Sequence, residues 1–244
     1  MAARSQSSRV LEKREENRSS VTALLGIDAI LFDAYGTLFD VQGVSAACAE
    51  VVPRPDVFVA EWRRRQLEYS WLRTLMARYA DFEQVSADAL DATASAHRAT
   101  LTTSQRDALL AAWLRPAPYA DVPDALAALA DWHLGILSNG SPSMLRTVLD
   151  DTKLASCFTW ILSVDQVRSF KPAPAAYELG VQATGLPRER IVFVSSNSWD
   201  VAGAASFGFV TCWLNRSNAS EERLGQQARI VIQSLEELKN KLET

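Results

Sequence analysis

Histidine is almost missing from this 244-residue chain, which has only His97 and His133. That leaves little material for a histidine metal site or a triad built around a histidine base. Cysteine is nearly as scarce. Cys48, Cys157 and Cys212 are odd in number and too widely spaced for a zinc motif. Free thiols of this kind suit a reducing compartment, and the cytoplasm is the expected location. No apolar run reaches the ~18 residues that a membrane span requires. A basic excess is also lacking, since 25 Lys and Arg face 29 Asp and Glu for a formal charge of −4. That balance argues against a nucleic-acid binder. What remains is a chain of 48% hydrophobic residues, enough for one large domain or a core with a modest insertion. A chain of this length buries most of its apolar surface without disulfides or a structural metal.

The first twenty residues stand apart. Arg4, Arg9, Lys13, Arg14 and Arg18 alternate there with Ser and with Glu12, Glu15 and Glu16, and large apolar side chains are few. Such composition buries poorly, and it lacks the apolar stretch of a secretory signal. Residues 1–22 are expected to be a polar tail.

From Leu24 onward, short apolar runs alternate with longer helical patterns. Ala29-Ile30-Leu31-Phe32 ends at Asp33, and Gly135-Ile136-Leu137 ends at Ser138-Asn139-Gly140. Ile191-Val192-Phe193-Val194 ends at Ser195-Ser196-Asn197, and Phe209 through Leu214 ends at Asn215. Continuous runs of this length suit strands buried on both faces of a parallel sheet. Helical patterns over 123–133 and 142–150 lie between them. The alternation predicts an α/β fold, a Rossmann-like parallel sheet with helices on both faces.

One interval breaks the alternation. From Thr37 to about Tyr119 no strand signal appears, although the stretch is far longer than a crossover needs. Residues 56–80 read as an amphipathic helix, with Phe58, Trp62, Tyr69, Leu72, Met76 and Tyr79 near 3.6-residue spacing. Residues 83–99 and 104–114 read as further helices. Pro116, Pro118 and Pro123 mark the return. The expected organisation is a core from residues 23–40 and 120–244, with a helical cap over 41–119.

Open parallel sheets bind ligands outside the carboxyl ends of their strands. Asp33, Ser138, Asn139 and the stretch from Ser195 to Asp200 all fall at such ends, and Lys171 ahead of Pro172 supplies a cation. Each has a plain alternative on its own: Asp33 as a turn former, Ser138-Asn139-Gly140 as a loop, Asp200 as a helix N-terminal charge. Their convergence on one rim favours a site. On the 56–80 helix, Glu61 can pair with Arg65 and Arg64 with Glu68 at i,i+4. Arg63 has Val59 and Leu67 there instead, so it reads either as an arginine snorkelling over aromatic neighbours or as an anion-binding group aimed at the core.

The segment Phe32-Asp33-Ala34-Tyr35-Gly36-Thr37-Leu38-Phe39-Asp40-Val41 resembles the first motif of the haloacid dehalogenase superfamily, and more narrowly that of the (S)-2-haloacid dehalogenases. The resemblance continues through Trp62-Arg63, Gln66 to Arg73 and Leu137 to Pro142. Lys171-Pro172 with Tyr177, and Phe193 to Asp200, complete it. It spans about residues 27–216 and leaves out the tail. It implies hydrolysis of short (S)-2-haloacids to (R)-2-hydroxyacids through an ester on Asp33. Thr37 and Lys171 would orient Asp33, while Arg63 and Asn139 receive the halide. Ser138 and the amides near Ala34 and Tyr35 would hold the substrate carboxylate. Tyr35, Leu67 and Trp199 would surround the alkyl group, and Tyr177 would join the substrate and halide site. Asp200, with Ser195, Asn197 and Lys171, would bind and activate water.

Magnesium phosphatases of the superfamily carry a second aspartate two positions after the nucleophile, and Tyr35 stands there in this chain. Their acidic residues after a later strand are replaced by Ser195-Ser196-Asn197. Magnesium favours carboxylate-rich oxygen shells, so no metal and no cofactor is expected. The expected partners are a small haloacid and water, with neither nucleic acid nor membrane. The apolar cap face suits a homodimer contact as well as core packing. Three alternatives stay open: a magnesium phosphatase, a hydrolase opening a strained ring beside a carboxylate, and a non-catalytic interaction protein.

Overall fold

The computed structural model describes residues 26–41 and 43–244; the tail expected over 1–22 lies outside the described residues. In chain order the elements begin with β1 (Ala29–Phe32), α1 (Gly43–Cys48), α2 (Pro55–Leu75), α3 (Phe82–Ala96) and α4 (Thr103–Leu114). Next come α5 (Val122–Ala128), β2 (His133–Ser138), α6 (Pro142–Thr152), β3 (Trp160–Ser163) and α7 (Pro174–Thr184). The chain closes with β4 (Ile191–Ser195), α8 (Ser198–Phe207), β5 (Val210–Leu214), β6 (Ile230–Ile232) and α9 (Leu238–Glu243).

All four residues of β1 are wholly buried, as expected for a central strand covered on both faces. Successive side chains point to opposite faces. Ile30 and Phe32 pack with α5, α6 and α9, while Ala29 and Leu31 pack with α7 and α8. The result is a three-layer α/β arrangement, in agreement with the sequence reading. The sheet runs in the order β3-β2-β1-β4-β5-β6, and every pairing is parallel. This is a doubly wound order, whose direction reverses between β1 and β4. Phe32 is in register with Ile136 on one side and Val194 on the other, so Asp33 emerges at that reversal.

Helices α1 to α4 lie between β1 and α5 and share a core of their own around Phe58, Trp62, Leu90, Leu109 and Trp113. Asp81 caps α3 by accepting from the Gln84 amide at 2.8 Å, and Thr102 with Gln105 forms a capping box on α4. Outgoing and returning segments run side by side: the Asp40 amide donates to Ala117 O at 2.7 Å, and the Tyr119 amide to Leu38 O at 3.0 Å.

Several expectations need correction. The helix expected over 56–80 stops at Leu75, where Ala77 turns into the left-handed region at φ 54°. Its apolar stripe is split, because Leu72 and Met76 are 44% and 60% exposed. The helix expected over 123–133 ends at Ala128, because His133 already opens β2. Strands β3 and β6 and helix α1 gave no recognised sequence signal. Among the described residues, no helix is long and apolar enough to cross a membrane.

Candidate active site

Beyond Phe32 the chain turns sharply. The Ala34 carbonyl accepts from the amides of Thr37, Leu38 and Phe39, with Gly36 inside the turn at φ +89°, a conformation that favours glycine. The fold-back returns the Thr37 hydroxyl to Asp33, to which it donates at 2.9 Å, while the Ser196 amide donates to that hydroxyl at 2.9 Å. One oxygen of Asp33 thus sits between the β1 turn and the loop after β4.

Three donors hold the Asp33 carboxylate. Thr37 Oγ1 and Asn197 Nδ2 donate to Oδ2, each at 2.9 Å, and Lys171 Nζ donates to Oδ1 at 2.9 Å. A carboxylate has about four acceptor positions, so among the described residues one lone pair, on Oδ1, has no donor. Lys171 is wholly buried and also donates to Asp200 Oδ2 at 2.6 Å and to Leu137 O at 3.1 Å. Its three N–H bonds are therefore all used. Burial alone would lower the lysine pKa, but Asp200 and Asp33 outweigh it and hold the ammonium above its ordinary range.

Asp200 lies in the first turn of α8 with no exposed surface. Its Oδ1 accepts from the Tyr177 hydroxyl at 2.7 Å. Gly203 permits this approach, since a Cβ there would sit 2.5 Å from the Tyr177 hydroxyl and 2.6 Å from Pro172 Cβ. Burial pushes the Asp200 pKa up to about 6, opposed by Lys171 and reinforced by Asp33. Burial and Asp200 keep Tyr177 well above the ordinary tyrosine range, so it remains a donor.

A small cleft opens over Asp33, lined by Tyr35, Arg63, Leu67, Phe82, Ser138, Asn139, Gly140, Asn197 and Trp199. Arg63 reaches it from α2. Glu61 binds Arg64 and Arg65, and Glu68 binds Arg64. Among the described residues, Arg63 has no carboxylate within ion-pair distance. Burial lowers its pKa while Asp33 and Tyr35 raise it, and a guanidinium there remains charged. Asn139 Oδ1 accepts from the Lys171 amide at 2.8 Å, which fixes the side chain and leaves its buried Nδ2 without a partner. Ser138 Oγ accepts from the Gly140 amide at 3.0 Å.

The structure brings eight of the expected residues to the cleft: Asp33, Tyr35, Arg63, Leu67, Ser138, Asn139, Asn197 and Trp199. Thr37, Lys171 and Asp200 stand behind Asp33 in its hydrogen-bond network. Tyr177, expected in the substrate and halide site, is instead wholly buried behind the cleft, because its hydroxyl is held by Asp200. Ser195, expected beside the water, is wholly buried, and its hydroxyl accepts from the Asn197 amide at 3.1 Å. Ala34 contributes backbone only, from beneath the turn. Phe82 and Gly140 line the cleft but were not anticipated. Gly140 directly follows the Ser138-Asn139 pair, whereas nothing in the sequence marks Phe82 beyond its place after the Asp81 cap.

Residues 27–208 match the model of the haloacid dehalogenase-like hydrolases. The chain is 45% identical over 221 residues to an (S)-2-haloacid dehalogenase of Pseudomonas sp. (strain YL), covering 89% of this chain and 95% of that protein. It is 44% identical over 204 residues to haloacetate dehalogenase H-2 of Moraxella sp. (strain B), covering 82% and 91%. The solved L-2-haloacid dehalogenase of Xanthobacter autotrophicus with chloropropionic acid covalently bound superposes with a TM-score of 0.84 at 36% identity, over 89% of this chain and 98% of that one. The chain therefore belongs to the haloacid dehalogenase-like hydrolases, and within them to the (S)-2-haloacid dehalogenase family.

Proposed function

We propose that this protein hydrolyses short-chain (S)-2-haloacids to (R)-2-hydroxyacids through an ester on Asp33, without a metal. The observation that carries this reading is one cleft holding Asp33, fixed by three donors, together with two anion donors: Arg63, with no carboxylate within ion-pair distance among the described residues, and the buried Nδ2 of Asn139, without a hydrogen-bond partner among them. A nucleophile and a receptor for its leaving group face the same small volume.

Asp33 Oδ1 attacks C2 from the side opposite the halogen. The C–O bond forms as the carbon–halogen bond breaks, and the halide leaves with the electron pair toward Arg63 and Asn139, inverting C2. Ser138 and the amides of Ala34 and Tyr35 receive the substrate carboxylate. Tyr35, Leu67, Phe82 and Trp199 enclose the alkyl part. Orientation of this kind is worth ~7–11 kcal/mol in well-aligned systems. Water then attacks the Asp33 carboxyl carbon, with Asp200 taking its proton and returning it to the departing hydroxyacid oxygen. Asp33 regains its charge by releasing one proton, and C2 is untouched in this step. A base with a pKa raised toward neutrality suits this role better than an ordinary aspartate.

The covalently bound chloropropionic acid in the Xanthobacter autotrophicus enzyme supports an ester mechanism. The donor set supports metal-free chemistry: Lys171 Nζ lies between Asp33 and Asp200, where a divalent ion would have to compete with an ammonium. Among the described residues no three His, Cys, Asp or Glu side chains converge.

In this reading residues 41–119 act as a cap that carries Arg63, Leu67 and Phe82 over a core of residues 23–40 and 120–244. Leu72, Leu75 and Met76, at 44%, 82% and 60% exposure, offer a contact face for a second copy, which light scattering would test. Three free cysteines fit a reducing compartment such as the cytoplasm. The function is tested by following chloride from (S)-2-chloropropionate in excess EDTA. Release from the (S) and not the (R) isomer supports it; no release from any short haloacid contradicts it.

A further inference from the structure

Arg63 poses a physical problem that its own helix does not solve. It projects into the cleft over Asp33, none of the described carboxylates is within ion-pair distance, and Asp33 and Tyr35 offset the cost of its desolvation only from a distance. A closer contact comes from a different helix. The guanidinium carbon lies 5.5 Å from the ring centroid of Trp113 on α4, within the range of cation–π attraction.

Trp113 is held firmly. It is 2% exposed, packs at 81° to Trp62 with centroids 5.5 Å apart, and contributes no hydrogen bond through its buried Nε1. Trp62 in turn donates to Ser86 O at 2.9 Å. The aromatic pair therefore ties α2, α3 and α4 together directly beneath the arginine.

We infer that Trp113 is a positioning residue for halide capture, a π-face platform that steadies the Arg63 cation while leaving its N–H donors free for the leaving anion. This rests on the dehalogenase reading of the same cleft. A carboxylate partner would also steady Arg63, but it would occupy the donors and repel the departing halide. An aromatic face stabilises the charge through the ring quadrupole and competes for none of the N–H bonds.

The test compares wild type with Trp113→Phe, which keeps a π face, and Trp113→Leu, which keeps apolar volume alone. Chloride binding to the substrate-free protein is read by ³⁵Cl line broadening. The rates of ester formation and ester hydrolysis are measured separately in single turnovers with (S)-2-chloropropionate. Melting curves show that each variant is folded. The expected result is chloride affinity and ester formation each about tenfold weaker in Trp113→Leu. Trp113→Phe should stay within about threefold of wild type, and ester hydrolysis should be unchanged in both. Equal chloride binding in wild type and Trp113→Leu would overturn the inference, as would equal slowing of both half-reactions, which a merely structural role would produce. Trp113→Phe behaving like Trp113→Leu would overturn it as well. Chloride binding that depends on the ring in a protein that releases no halide would instead contradict the dehalogenase reading while leaving the platform in place.

Discussion

The Tyr177 hydroxyl donates to Asp200 Oδ1 at 2.7 Å, and neither side chain has any exposed surface. This contact joins α7 to the first turn of α8 and bears on the carboxylate proposed to activate water. Because burial raises the Asp200 pKa to about 6, Asp200 is ionised above that pH and protonated below it. In the ester Asp33 carries no charge and no longer raises Asp200, so ester hydrolysis is expected at full rate on the alkaline side and to fall only as pH drops below about 6. Single-turnover decay of the ester from pH 3 to 9 measures this. A flat profile across that window would contradict the assignment of the base.

Tyr177→Phe removes a donor that favours the charged form of Asp200. A hydrogen bond to a charged group is worth ~1.5–3 kcal/mol, so the acid limb should move up by about one to two pH units. The chemical step that forms the ester should keep its rate. The same pH series on the variant reads both quantities.

Lys171 is the electrostatic keystone. It lies 2.9 Å from Asp33 and 2.6 Å from Asp200, and Lys171→Met leaves two buried carboxylates facing each other. Breaking a buried ion pair on one side costs ~3–5 kcal/mol. The variant should lose that much stability in urea titrations at pH 8 and regain part of it toward pH 5, as Asp200, raised by burial and no longer held down by the ammonium, protonates. Activity should fall below detection, since Asp33 loses its alignment.

Arg63→Ala should behave in the opposite way. No described carboxylate loses an ion-pair partner, so stability should change by no more than ~1 kcal/mol. Ester formation should nevertheless slow by ~10²–10³, the scale seen when a preorganised donor to developing charge is removed. Stopped-flow single turnovers and a melting curve on the same preparation separate the two effects.

Much of this arrangement was legible in the chain, and the reasons are physical. β1, β2, β4 and β5 are internal strands with nearly continuous burial, so their apolar runs stand out and their ends mark Asp33, Ser138, Asn139 and Asn197. The edge strands did not stand out. Ile161 of β3 and Val231 of β6 face solvent at 42% and 53% exposure, within elements of four and three residues. Arg63 stood out because no carboxylate lies three or four residues away from it along its helix. Its platform, Trp113, lies fifty positions away on another helix, and spacing carries no information about that. Tyr177 was misplaced for a related reason: sequence gives its proximity to Lys171 but not the direction of its hydroxyl, which only the packing of α7 on α8 determines.

The central claim is that Asp33 makes and loses a bond to carbon in every cycle. One turnover in ¹⁸O-water, with enzyme in excess over (S)-2-chloropropionate, tests it by mass spectrometry of the Asp33 peptide and of the product. Heavy oxygen in the Asp33 carboxyl and ordinary oxygen in the hydroxyacid is the expected result. Heavy oxygen in the hydroxyacid, with Asp33 unlabelled, would mean that water attacks C2 directly and would contradict the account.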